Sequence, residues 1–233
     1  MNVFSYLLEA ANWAGPSGIL ARLGEHLFYT VAAVLLAALV AMPLGVLVGH
    51  TRRGETVVSG LSNAARAIPT LGLLVLVVTL LGTDRLWVVL ALAVLAVPPI
   101  LVNTAAGVRE ADAGAVHAGR ALGMTPWQVV RQVELPLALP LMVSGVRSAS
   151  LQVVATATVA ALAAAGGLGR FVVDGQRLGS SANGYPQMFA GALLVALLAI
   201  IIDLALGVLG WALARRTGRI SRADRADVRA GAR

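Results

Sequence analysis

The apolar positions of this chain gather into long runs instead of alternating with polar ones. Leu27 to Val48 and Leu86 to Val108 hold no charged side chain, while Leu139 to Ala165 and Met188 to Ala214 hold one each, Arg147 and Asp203. Another run begins between Val57 and Ala67 and ends at Leu81-Gly82. A helix rising about 1.5 Å per residue crosses roughly 30 Å of hydrocarbon in about 20 residues, so each run can span a bilayer. The pattern predicts an all-α integral membrane protein with about five transmembrane helices.

The breaks between the runs set the organisation. Residues 1–26 read as an N-terminal interfacial segment: Val3, Phe4, Leu7 and Leu8 have roughly helical spacing, but Gly15-Pro16 breaks the stretch before it can span. Residues 27–214 form the membrane domain, and 215–233 a basic tail. Gly82-Thr83-Asp84-Arg85 is a tight polar turn, and Gly166 to Tyr185 a glycine-rich loop. Residues 109–136 are the long polar stretch inside the bundle, and a stretch of that length between spans needs a purpose. No internal repeat is visible.

Composition agrees with this picture. Of 233 residues, 58% are hydrophobic and 12% charged, against roughly 25% charged in an average soluble domain, and the mean hydropathy is +0.84. The net charge of +7 lies mostly between and after the apolar runs, so it reports topology and excludes nucleic acid as the partner. With no cysteine, disulfides, thiolate metal sites and thiol nucleophiles are excluded, and no metal site is expected. Glu9 and the lack of a basic n-region argue against a cleaved signal peptide.

Arginine sets the orientation. With the segments after the first, third and fifth runs in the cytoplasm, that side receives Arg52, Arg53, Arg66, Arg109, Arg120, Arg131 and the seven arginines from Arg215 to Arg233, and Arg147, within the fourth run, is counted with it. The other side receives Arg22, Arg85, Arg170 and Arg177. Basic residues accumulate on the cytoplasmic side. The N-terminus is therefore expected outside, and the stretch 109–136 and the C-terminus inside, in a multi-pass protein of the plasma or inner membrane.

Within that stretch a short helix precedes Gly123, which can end it in a left-handed cap. A second helix starts with Thr125 as N-cap, Pro126 at the first helical position and Gln128 completing a capping box. Leu135-Pro136 then returns the chain to the membrane. Helix, glycine break, helix makes a rigid protruding elbow.

Ala118 five residues before Gly123, and Val133-Glu134-Leu135-Pro136 after it, resemble the EAA loop of permease subunits of binding-protein-dependent ABC importers, of type I architecture. In that family the loop holds the coupling helix, which docks on a cytoplasmic ATPase. The resemblance implies that His117, Ala118, Gly119, Gly123, Leu135 and Pro136 serve this coupling. Small side chains suit it, because they allow two backbones to approach. His117-Ala118-Gly119 departs from the Glu-Ala-Ala pattern, and His117 is either an ordinary exposed histidine or a pH-sensitive contact.

The likeness extends over nearly the whole chain. Glu25-His26-Leu27, Met42-Pro43-Leu44-Gly45, Ile68-Pro69-Thr70-Leu71, Asn103-Thr104, Gly145-Val146-Arg147 and Ala165-Gly166-Gly167-Leu168-Gly169 are similar to the osmoprotectant branch, whose members import glycine betaine, carnitine, choline or proline betaine. The implied partners are cytoplasmic ABC ATPase subunits carrying ATP and Mg, a second permease, identical or paralogous, an external substrate-binding protein, and the lipid bilayer. No cofactor is expected in this chain. The same loop is compatible with an amino acid or another small solute as cargo.

Gly166-Gly167-Leu168-Gly169 lacks the Lys and Ser/Thr of a phosphate-binding loop. Gly166, Gly167 and Gly169 instead suit a tight turn at the external mouth. Asn63, Pro69, Thr70, Asn103, Thr104, Thr156 and Thr158 are candidates to line a path, since polar groups in spans are costly; the threonines alternatively bond their own backbone. Pro43 and Pro69 either free carbonyls toward the path or are tolerated kinks. Arg147 and Asp203, at comparable depth, either pair between helices or are satisfied separately. A membrane-embedded enzyme would need a convergent acid, base or metal set, whereas Asp203 is the one carboxylate well inside a span.

Overall fold

The computed structural model describes residues 2–54, 56, 58, 60, 63, 67–163, 165–180 and 183–216. Helix α1, Val3–Leu8, is closed by a reciprocal capping box between Asn2 and Ser5. Helix α2 is Ile19–Thr51, α3 Thr70–Leu81 and α4 Arg85–Arg109. The polar stretch folds as α5, Ala113–Ala121, and α6, Pro126–Val129, which runs through a π-helical turn, Val130–Glu134, into α7, Leu135–Ala160. Helix α8 is Gly169–Leu178 and α9 is Gly184–Arg216. Among the described residues, four helical stretches are long and apolar enough to cross a membrane: Ile19–Thr51, Arg85–Arg109, Pro126–Ala160 and Gly184–Arg215.

Helix α2 begins at Ile19, ahead of the run expected from Leu27, and carries Arg22 and Glu25, three residues apart and bonded at 2.8 Å. Two expectations change. Pro69 does not kink a helix; it is the N-cap of α3, with extended ψ of 114°. At 12 residues, α3 alone is about 18 Å long, too short to cross. Between Glu55 and Thr70 only Thr56, Val58, Gly60, Asn63, Ala67, Ile68 and Pro69 are described, so the front of the expected second span lies largely outside the described residues. Finally, the expected loop from Gly166 to Tyr185 contains α8, which buries Phe171 and Val173 and pairs Arg170 with Asp174 at 2.8 Å on its other side. The tail beyond Arg216 also lies outside the described residues.

The chain divides into two compact units. The first comprises Met1–Ala37, Asn63–Val97 and Ala149–Asp203. It is organised around Ile19, Leu168, Phe171 and Leu198, with Leu7, Trp13 and Leu23 packed on them. Helix α8 lies close on the start of α9, where a Cβ at Gly175 would stand 2.6 Å from the Met188 nitrogen.

The second unit comprises Ala38–Ser62, Pro98–Ser148 and the chain from Leu204 onward. Val108, Ala138 and Met142 form its core, with Met42, Val46 and Leu135 against them. Its helices approach through glycine. A Cβ at Gly49 would stand 2.6 Å from the Ala105 oxygen, and one at Gly45 2.7 Å from Cβ of Thr104. Gly107 meets Ala138, and Gly145 meets Asn103, in the same way. Without a hydrophobic force between helices in lipid, such close backbone approach provides the packing energy.

Candidate functional site

The elbow belongs to the second unit. Asp112 caps α5, its carboxylate accepting from the Ala115 N–H at 2.8 Å. Leu122 N–H closes the helix end on Ala118 O, and Gly123 adopts φ +81° with open space around it. Thr125 and Gln128 form the reciprocal capping box, at 3.3 and 2.7 Å, that starts α6. The two arms pack on each other through Gly119, whose Cβ would meet Met124 Sδ at 3.1 Å and Val133 at 3.6 Å. Gly119 is buried, so its small size serves the inside of the elbow and not its outer face. His117, Ala118 and Gly123 are exposed, and Leu135 and Pro136 are partly buried at the exit.

The outer face has a composition that the sequence did not flag. Leu122 is 80% exposed and Trp127 66% exposed, flanked by exposed His117, Arg120 and Arg131. From His117 to Gln132 no carboxylate occurs. Exposed Trp with flanking Arg is the composition of a protein-binding hot spot. Behind this face, Trp127 and Pro126 line an apolar cavity of about 570 Å³ together with Met42, Val46 and Met142.

Beneath the elbow, Glu134 is buried, and Nδ1–H of His50 donates to its carboxylate at 2.8 Å. A polar cleft of about 310 Å³ opens beside this pair, lined by Arg52, Arg109, His117 and Arg120 among others. Neither His50 nor Glu134 stood out as a site residue in the sequence. They are 84 positions apart, and no local pattern links them.

In the first unit the glycine loop is held to α2. The Gly167 N–H donates to the Glu25 carboxylate at 2.9 Å, and Glu25 also receives Arg22 at 2.8 Å and Arg85 at 3.7 Å. Gly167 adopts φ +88°, and a Cβ there would stand 3.1 Å from Nδ1 of His26; a Cβ at Gly166 would strike the Glu25 carboxylate. Gly169 lies against the Thr158 carbonyl. His26 is inaccessible, with Nε2 3.2 Å from the Val154 oxygen. Glu25 and His26 are therefore what the glycines fold onto, a role that only the fold reveals.

The path candidates belong to both units, Asn103 and Thr104 to the second and the others to the first. Asn63 and Pro69 are exposed and Thr70 is partly so. Thr156 and Thr158 donate to carbonyls one turn back, at 2.8 and 3.0 Å, and Asn103 to Pro99 O at 2.8 Å. Thr104 is inaccessible, pressed against Gly45. In the second unit the Arg147 guanidinium lies against Gly207; Asp203 belongs to the first unit. Pro98, Pro99 and Pro140 lie inside α4 and α7. Among the described residues no group of three or more His, Asp or Glu side chains is placed to hold a metal ion.

Known proteins supply the comparison. Residues 41–214 match the family model described as binding-protein-dependent transport system inner membrane component. The glycine betaine/carnitine/choline transport system permease protein OpuCB of Bacillus subtilis (strain 168) is 35% identical over 82% of this chain and 86% of that protein. The osmoprotectant import permease protein OsmW of Salmonella typhimurium is 34% identical over 87% and 93%. Among solved structures, an inward-facing MetNI methionine ABC transporter matches with a TM-score of 0.73 and 27% identity over 84% of this chain and 95% of that one.

Proposed function

The chain belongs to the family of inner membrane components of binding-protein-dependent transport systems, a multi-pass membrane transport subunit and not an enzyme, and from that premise we propose that it forms the translocation path of an ATP-driven osmoprotectant importer. The observation that carries this reading is the likeness, over more than four fifths of the chain, to permeases named for glycine betaine, carnitine and choline transport. In this proposal the exposed elbow docks on a separate cytoplasmic ATPase that binds ATP and Mg. A second permease subunit completes the path. The glycine loop held by Glu25 faces an external substrate-binding protein. The N-terminus is outside and the C-terminus in the cytoplasm.

Specificity is assigned to the binding protein. Quaternary ammonium ligands are bound by aromatic cages, and the 11 aromatic residues of this chain, four Trp, three Tyr and four Phe, are scattered along it. The structural likeness to a methionine transporter favours an amino acid as the second reading.

Uptake of radiolabelled glycine betaine, choline, carnitine and methionine into proteoliposomes holding the whole complex separates these readings. Accumulation of a betaine or choline that requires ATP on the ATPase side is expected. Accumulation of methionine alone would select the second reading, and accumulation indifferent to ATP would overturn both. Gly123→Trp should leave membrane insertion intact while releasing the ATPase from the purified complex, because the open space at Gly123 would be filled on the docking face.

A further inference from the structure

We propose that the Glu134–His50 pair is a strut that transmits movement of the elbow into the first membrane helix, which makes both residues positioning residues for transport. This rests on the reading that the elbow docks on an ATPase.

The backbone supplies the first part of the argument. Glu134 ends a π-helical turn placed between the capped start of α6 and the membrane helix α7. Such turns are rare and concentrate at functional sites. Each residue added to an α-helix swings those after it by about 100° around the axis. The π turn therefore sets where Glu134 points relative to the arm that carries Trp127, and it points to His50.

Burial supplies the second. The Glu134 side chain is 6% exposed and that of His50 22%. A carboxylate so placed must be hydrogen-bonded, and its 2.8 Å bond to His50 ties α7's base to the last turn of α2. Packing supplies the third. Upstream of the pair, the elbow is internally closed at Gly119, Met124 and Val133, so a push on its outer face moves both arms together. Downstream, α2 is seated on α4 through Gly45 and Gly49 without room for a methyl group. Packed interfaces of this kind shift as bodies and do not absorb displacement. The pair joins the two close-packed assemblies, so the elbow's displacement reaches α2 through it.

The test is the amount of ATP hydrolysed per solute imported, measured in proteoliposomes holding the whole complex. Glu134→Ala and His50→Ala should each raise that ratio by about fivefold or more, with the ATPase still co-purifying. The double variant should be no worse than the worse single one, and Glu134→Gln, which keeps a hydrogen bond to His50, should stay near the wild-type ratio. The chain has no cysteine, so His50→Cys with Glu134→Cys can be joined by a short bis-methanethiosulfonate bridge. Bridging should restore the ratio, and reductant should abolish the rescue. An unchanged ratio in the alanine variants, additive losses, or a bridge without effect would each overturn the strut. If the wild-type complex itself shows no ATP-dependent uptake, the importer reading falls and the strut falls with it.

Discussion

Gly123 and Gly167 both hold left-handed backbone, φ +81° and +88°, yet they differ in surroundings. Nothing lies within 4 Å of a Cβ at Gly123, whereas at Gly167 it would meet the His26 ring at 3.1 Å. Gly123→Ala therefore carries conformational strain alone, about 1–2 kcal/mol. Gly167→Ala adds crowding against a buried ring and moves the N–H that Glu25 holds. We expect Gly167→Ala to lower the melting temperature of the detergent-solubilised protein more than Gly123→Ala, as read by intrinsic fluorescence. Equal shifts would show that the loop is not seated on His26. The left-handed cap at Gly123 and the Thr125–Gln128 box were legible because they are local chemistry. The partners of Gly167 were not, since Glu25 lies 142 residues away.

At the scale of elements, α2 and α4 show what a hydropathy pattern leaves out. Both were readable as spans from their uncharged runs. Their packing depends on Gly45 and Gly49, a small residue every fourth position, which is a known signature of close helix approach in membranes. Gly49→Leu should force the helices apart and, like other overpacked substitutions, cost about 1–3 kcal/mol. Gly54→Leu, at an exposed site with open space but positive φ, supplies a control limited to backbone strain. The check is the midpoint of thermal aggregation of the purified complex; a Gly49→Leu midpoint no lower than the control's would show that the contact carries no packing energy. Helix α8 was missed for a different reason. Its ten residues include Gly169, Gly175 and charged side chains, so local propensity reads as loop. Its apolar face becomes evident only where Phe171 joins Ile19, Leu168 and Leu198 in one cluster.

For the whole molecule, the distribution of arginine makes a topological prediction. With single cysteines introduced into the natural cysteine-free background, Ala118→Cys should be protected from a membrane-impermeant maleimide in intact spheroplasts and labelled after lysis. Ser17→Cys should be labelled in both. Labelling of position 118 in intact cells would invert the orientation. The last helix ends consistently with a membrane boundary: the Arg215 guanidinium lies 3.6 Å from the Trp211 ring centre, pairing an aromatic and a basic residue of the kinds that populate interfaces. The many exposed apolar side chains of α9, among them Leu193, Leu197, Ile201 and Leu204, need no water-soluble core, because lipid or another subunit is as apolar as they are.

Hydropathy, charge and local capping chemistry were enough to determine from sequence that the chain is a helical membrane protein with a protruding elbow, because each depends on residues within one or two turns of each other. The EAA-like loop and the flanking fragments, met as a resemblance, pointed to the transport family. Tertiary structure alone decided that Glu25 and His26 seat the glycine loop and that Gly119 faces inward. It also decided that Glu134 reaches His50 across 84 residues. Those outcomes depend on which helix faces which, and helix rotation is set by small-residue packing and buried hydrogen bonds that a linear pattern does not encode.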